Sequence, residues 1–297
     1  MGEAYAKSGR HVAALKALER SKELNPHDWM CDVQVGQVHR QLGDHQLAVN
    51  AFLDILSQHK EDVVKAALAE TLLEMAKAYR NSGFTDRAKD TWILALSEGL
   101  KLIEAAGARG VAWKVISDAL ADLAGVLHGP LEGEDSLVDA LLCTGTVLQR
   151  EWDDPNNSLS SLVDLSTLTN HLKGEEPGLA LEGGVIAGRL SIASCSYRVH
   201  LAGTMDTSLS SALFDLAASL FSYCTRIAVT PGADKIYQTA ADLLKRGLRL
   251  SPGDETYWNA LGTLSFKTNP KLAQHAYIKA LEIDSKVILF FPCMISH

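Results

Sequence analysis

The sequence predicts an all-α fold of antiparallel helix pairs, repeated at a fixed step and stacked into a right-handed superhelix with an irregular acidic insert. Three observations predict it. A small-residue slot and a larger apolar slot recur in the same order about every 34 residues. A glycine follows the first small-residue slot at the same offset in three successive units. A proline closes a unit at Pro26 and again at Pro252.

The units follow in order. Gly2 is followed by Tyr5, Ala14, Leu18 and Pro26. Val35-Gly36 lies one step of 34 residues after Met1-Gly2. His39 then stands where the first unit has tyrosine, and Ala48 and Phe52 keep the spacing of Ala14 and Leu18. A third unit has Leu72, Met75-Ala76, Tyr79, Ala88 and Trp92. Gly9, Gly43 and Gly83 each fall seven residues after the small-residue slot, where the two helices of a pair must turn. Trp113 and Ile116-Ser117 open a further unit, and residues 180–202 and 208–227 read as helices. Near the end, Ala240, Leu244 and Pro252 form the second half of one unit. Trp258, Leu261-Gly262, Ala273 and Tyr277 form another. Small residues let the helix backbones approach, large ones fill the gaps between neighbours, and proline ends the second helix. Order and phase are similar to the tetratricopeptide repeat, W-x2-L-G-x2-Y…A-x3-F…P.

Charge divides the chain. It has 297 residues and a net charge of −8, with 47% apolar residues, a composition that folds. Residues 129–182 hold 11 acidic and two basic side chains, a net −9, so the remainder is near neutral. Breaker clusters with Pro130, Pro155 and Pro177 bracket two apolar-periodic stretches, 136–150 and 159–172. This segment is expected to be a partly helical, solvated connector, with a docking surface for a basic partner as the alternative. The expected organisation is repeats over 1–127, the acidic insert over 128–184, further repeats over 185–285 and a divergent apolar tail over 286–297.

The acidic balance argues against a general nucleic-acid binder, which needs a basic stripe. Five cysteines (Cys31, Cys143, Cys195, Cys224, Cys293) lie far apart, and the odd count fits a reducing compartment. The start lacks an apolar signal core, and the longest apolar run, 287–291, is too short to span a bilayer. No phosphate loop, dinucleotide fingerprint, zinc-binding or nucleophile-elbow motif occurs. His39 and His45 lie too far round for a shared metal, and Cys195 and His200 fall on different helix faces. Asp153-Asp154 and Glu175-Glu176 read as solvated charge, and Glu182 argues against an anion at Gly183-Gly184. The expectation is no catalysis, no cofactor and no metal.

In tetratricopeptide proteins the first helix of each pair lines a concave groove that meets partners. By that resemblance the groove side chains here are Val33, Gln37 and Arg40, then Lys77, Arg80 and Asn81, then Asn259, Thr263 and Phe266. The structural positions are Gly2, Tyr5, Ala14, Pro26, Gly36, Ala48, Phe52, Tyr79, Ala88, Trp92, Pro252, Trp258, Gly262, Ala273 and Tyr277. A generic peptide-binding adaptor, for example a chaperone cofactor, is the alternative. Chaperone-binding modules clamp acidic termini with polar residues from three groove helices, and Val33 and Leu73 stand where such residues would serve.

YWNALG and LAQHAYIKALE within 257–282, with AYRNSGFTDRAKDTW and VAWK within 78–114, resemble the scaffold subunit family of the superkiller complex. The resemblance implies a non-catalytic scaffold that holds an RNA helicase and β-propeller subunits and supports exosome-mediated 3′-to-5′ mRNA decay. It implies protein partners, with no direct nucleic-acid or membrane binding. The implied location is the cytoplasm, with the nucleus as an open alternative. In that family the helicase and propeller contacts lie largely in C-terminal repeats. The likeness stops at residue 285. The first helix starts part-way through its pattern, and the apolar tail replaces a polar cap, so a piece of a longer chain or an alternative product is expected, with a folded-back tail as the other reading.

Overall fold

The computed structural model describes residues 2–104, 108–131, 135–152, 163–174, 181–203, 209–226, 233–266 and 268–286. Among these are fourteen α-helices and no strand, so the all-α expectation holds. The chain divides into two compact units, Met1–Thr144 and Gly145–His297.

The first unit carries α1 (Gly2–Lys7), α2 (His11–Leu24), α3 (Trp29–Leu42), α4 (His45–Gln58), α5 (Asp62–Asn81), α6 (Thr85–Leu102) and α7 (Arg109–Val126). Each packs on the next, and α3 also touches α1 and α5, as α5 touches α7. The odd-numbered helices are therefore neighbours along one side of this unit. Gly9, Gly43 and Gly83 have φ of +73°, +83° and +83°. Each ends its helix in the same way: at Gly43, its N–H donates to the Arg40 carbonyl and the Asp44 N–H to the His39 carbonyl. That is a left-handed cap which an L side chain would strain.

Close approach explains the small slots. A Cβ on Gly36 would sit 2.6 Å from the Phe52 ring, and one on Gly2 2.6 Å from Leu18. Ala14, Ala48, Phe52, Ala88 and Trp92 are fully buried. Tyr5 and Tyr79 are half-buried, and Pro26 is exposed in the connection after α2. The Asp28 side chain accepts from the Met30 N–H and starts α3 just beyond that proline.

The acidic segment is partly helical, and its apolar stretches pack instead of staying solvated. It supplies α8 (Asp135–Glu151), which crosses the division between the units, and α9 (Leu165–Leu172). Leu137, Leu141, Leu148 and Leu168 are fully buried, so its apolar stretches pack. A Cβ on Gly145 would meet Thr169 at 2.7 Å, and Gln149 donates to the Thr169 hydroxyl at 3.0 Å. The acidic pairs Asp153-Asp154 and Glu175-Glu176, and Pro155 and Pro177, lie outside the described residues, as does the tail from 287.

The second unit continues with α10 (Gly183–Gly203), α11 (Leu209–Arg226), α12 (Ala233–Leu250), α13 (Glu255–Ser265) and α14 (Pro270–Ile283). Helix α10 is buried on nearly every side. Arg198, on α10, is paired with Asp215 of α11 and donates to Ser211 at 3.1 Å. The close approach of α3 and α4 recurs here: a Cβ on Gly262 would lie 2.6 Å from Tyr277, beside buried Ala273. Trp258 is half-buried rather than central. Its indole N–H donates to the Pro252 carbonyl at 2.9 Å, and its ring meets His275 edge-on. The deep aromatic is its neighbour Tyr257, stacked on Phe214 with centroids 4.7 Å apart.

Candidate functional site

The odd-numbered helices of the first unit present charge to one another. Arg40 on α3 donates through Nε and Nη2 to both oxygens of Glu74 on α5, at 2.9 and 2.7 Å. Its Nη1 donates to Glu70 at 2.7 Å. The hydrogen bond to Glu74 raises the guanidinium pKa further, against the opposing effect of burial. One helix on, Lys77 and Arg80 of α5 each lie 3.6 Å from the Asp122 carboxylate of α7. Burial raises the Asp122 pKa, Lys77 opposes it, and Asp118 adds to it. Lys114 pairs with Asp118 at 3.2 Å along α7. A two-pronged carboxylate bond fixes geometry as well as charge, so these side chains join successive helices.

All three sequence-predicted groove cations, Arg40, Lys77 and Arg80, therefore face carboxylates that the sequence pattern did not mark. Gln37 is half-buried and Asn81 is exposed. Val33 is only 4% exposed and packs in the core, which corrects its placement in the groove; Leu73 is likewise buried.

The second unit is different. Between α11 and α13, over α12, lies an open apolar cavity of about 240 Å³. Phe214, Ala218, Phe221, Leu244 and Leu264 line it, with Asn259 and Thr263 contributing the polar edge. Asn259 is buried, and Thr263 accepts a hydrogen bond from the Tyr277 hydroxyl at 3.3 Å. Phe266, at the end of α13, is exposed. Sequence reasoning marked Asn259 and Thr263 but missed Phe214 and Phe221. Their spacing of seven on a predicted helix was the available signal.

Among the described residues no group of three His, Cys, Asp or Glu side chains could hold a metal. Cys195 contacts the Ser219 hydroxyl at 3.4 Å, while His200 stacks on Tyr197. Burial pushes the Cys224 thiol up to about 11, which leaves it protonated and unreactive at neutral pH. No described helix is long and apolar enough to cross a membrane.

No family model matches the chain. It is 26% identical over 279 residues to Superkiller protein 3 of Schizosaccharomyces pombe, covering 93% of this chain and 19% of that protein. The chain resembles superkiller 3 proteins. The human Superkiller complex protein 3 is 26% identical over 284 residues, covering 93% of this chain and 16% of that one. The chain thus spans less than a fifth of the length of these superkiller 3 relatives. Among solved structures, the C-terminal part of a tetratricopeptide protein from Cytophaga hutchinsonii covers 96% of this chain and 95% of that one, at 10% identity and a TM-score of 0.36.

Proposed function

We propose that this chain is a non-catalytic scaffold of the superkiller type, with protein partners seated on its odd-numbered helices. The observation that carries this reading is similarity to superkiller 3 proteins along nearly the whole chain. Its partners are an RNA helicase subunit and a β-propeller subunit, and through them the exosome, in cytoplasmic 3′-to-5′ mRNA decay, with the nucleus as a second location. Gln37, Arg40, Lys77, Arg80 and Asn81 form the partner-facing set in the first unit, and Asn259 and Thr263 in the second. The chain binds no nucleic acid directly and needs no cofactor. A repeat array offers surface rather than converging reactive groups. The carboxylates on Arg40, Lys77 and Arg80 weigh against a clamp for acidic peptide termini, the mode of a chaperone cofactor.

Affinity purification of the full chain from cells, followed by mass spectrometry, tests the proposal. Recovery of a helicase and a propeller protein is the expected result. Chaperones without either would move the chain to the adaptor class.

A further inference from the structure

A second cavity is lined by none of Arg40, Glu70, Glu74, Lys77, Arg80 and Asp122. It has a volume of about 710 Å³ and sits where the α2–α3 connection and the first turns of α3 meet the end of α4. Its walls are polar, in contrast to the apolar cavity of the second unit. Trp29 and His59 form one wall, stacked with centroids 5.6 Å apart and planes 28° from parallel. Stacking across the α3–α4 pair holds the indole in place. Two carboxylates, Asp32 and Asp54, and one cation, Lys22, also line the space. Lys22 is bound to Asp32 at 2.5 Å, which bridges α2 to α3 and cancels one charge of each sign. Among the described residues no cation lies within ion-pairing distance of Asp54. The cavity therefore carries a solvent-exposed carboxylate with no cation paired to it beside a held aromatic ring, with His27 and His59 also on its rim.

We propose that this cavity receives an arginine side chain of a partner polypeptide. A guanidinium suits both features: it stacks on an indole and meets a carboxylate with two parallel N–H donors. A carboxylate or phosphate ligand would meet Asp54 and would have to displace Lys22 from Asp32. An uncharged ligand would gain nothing from Asp54, which stays exposed to water. The site goes beyond the scaffold reading, since none of the residues assigned there lines it, and it does not depend on which partners those residues hold.

The test uses the full chain and the acetylated, amidated peptide Gly-Arg-Gly-Arg-Gly, with a twin in which citrulline replaces both arginines. Calorimetry should show saturable binding of the arginine peptide that weakens with added salt. The citrulline twin should bind about tenfold less tightly or worse, the loss expected for one charge-assisted contact. Asp54→Asn should cause a loss of similar size, and Trp29→Leu a smaller one, with circular dichroism showing both variants helical. Asp90→Asn, which removes an exposed acid on α6, should leave binding unchanged. Equal binding of the two peptides, equal losses in Asp54→Asn and Asp90→Asn, or no saturable binding would each overturn the proposal. So would a preference for an acidic peptide.

Discussion

The neighbouring odd-numbered helices of the two units are joined by opposite means. In the first unit, α3, α5 and α7 are linked by side chains of opposite charge: Arg40 to Glu70 and Glu74, then Lys77 and Arg80 to Asp122. In the second, α11 and α13 are linked by the stack of Phe214 on Tyr257, with an open apolar cavity beside it. Both arrangements keep successive helix pairs in register. They leave different surfaces. The first offers a partner charges that are already neutralised, so binding there must displace or extend existing ion pairs. The second offers unfilled apolar volume, so binding there gains by removing carbon from water. One repeat geometry thus supports two recognition chemistries.

The largest expected effect comes from breaking the charged links. Arg40→Met keeps the stem and removes the guanidinium, leaving Glu70 and Glu74 side by side without their shared cation. Because both glutamates remain partly exposed, water repays part of the loss, and a cost of about 1–2 kcal/mol is expected. Hydrogen exchange should localise it: amides of α3 and α5 should open more readily, while those of α11 and α13 stay as protected as before. The difference between variant and parent should narrow in concentrated salt, since screening weakens the pair that the parent alone retains. Loss of protection spread evenly over both units would contradict the contrast drawn above.

The second unit should respond to the reverse change. Ala260→Leu places a larger apolar group at the edge of the α11–α13 cavity. Filling it is expected to stabilise the fold by about 0.5–1 kcal/mol, read as a rise in the unfolding midpoint. The same variant should bind less well any partner that uses the cavity. A variant that unfolds more easily would mean that the space is too shallow or too tightly edged to accept a side chain.

These residues also mark what the sequence makes legible. The turns are local. Gly9, Gly43 and Gly83 repeat at one offset because a left-handed cap requires glycine where it occurs, whatever packs around it. The helix pairs are nearly local too, since Gly36 and Phe52 are 16 residues apart and recur as Gly262 and Tyr277, 15 apart. The joining side chains are not local. Arg40 meets Glu74 across 34 residues, one full step. A scan for opposite charges one step apart would have found this pair. No such rule reaches Asp122, which lies 45 residues from Lys77 because α5 and α6 are longer than the helices before them. The cavity of the second unit was legible only as a stripe on a helix, because a stripe does not say whether its neighbour fills it. In the acidic segment the apolar stretches were legible, but the charge and prolines around them pointed to solvent where the leucines in fact pack.

The smallest effect sharpens the comparison most, since it separates charge from shape. Burial raises the carboxyl pKa of Asp122, even though Lys77 and Arg80 stand nearby and act to lower it. A carboxyl whose pKa is higher folded than unfolded favours the fold while it is protonated, and that contribution is lost as pH rises through the folded value. At neutral pH the ionised Asp122 therefore costs stability relative to a neutral side chain of the same shape. Asp122→Asn should be slightly more stable than the parent at pH 7. The two should converge as pH falls below the ordinary carboxylate range, where Asp122 is neutral in both states. Urea unfolding at pH 2.5 and pH 7 measures the difference. A variant less stable at pH 7 than the parent would show that Lys77 and Arg80 outweigh burial, and that the α5–α7 link holds by attraction rather than by the packing around it.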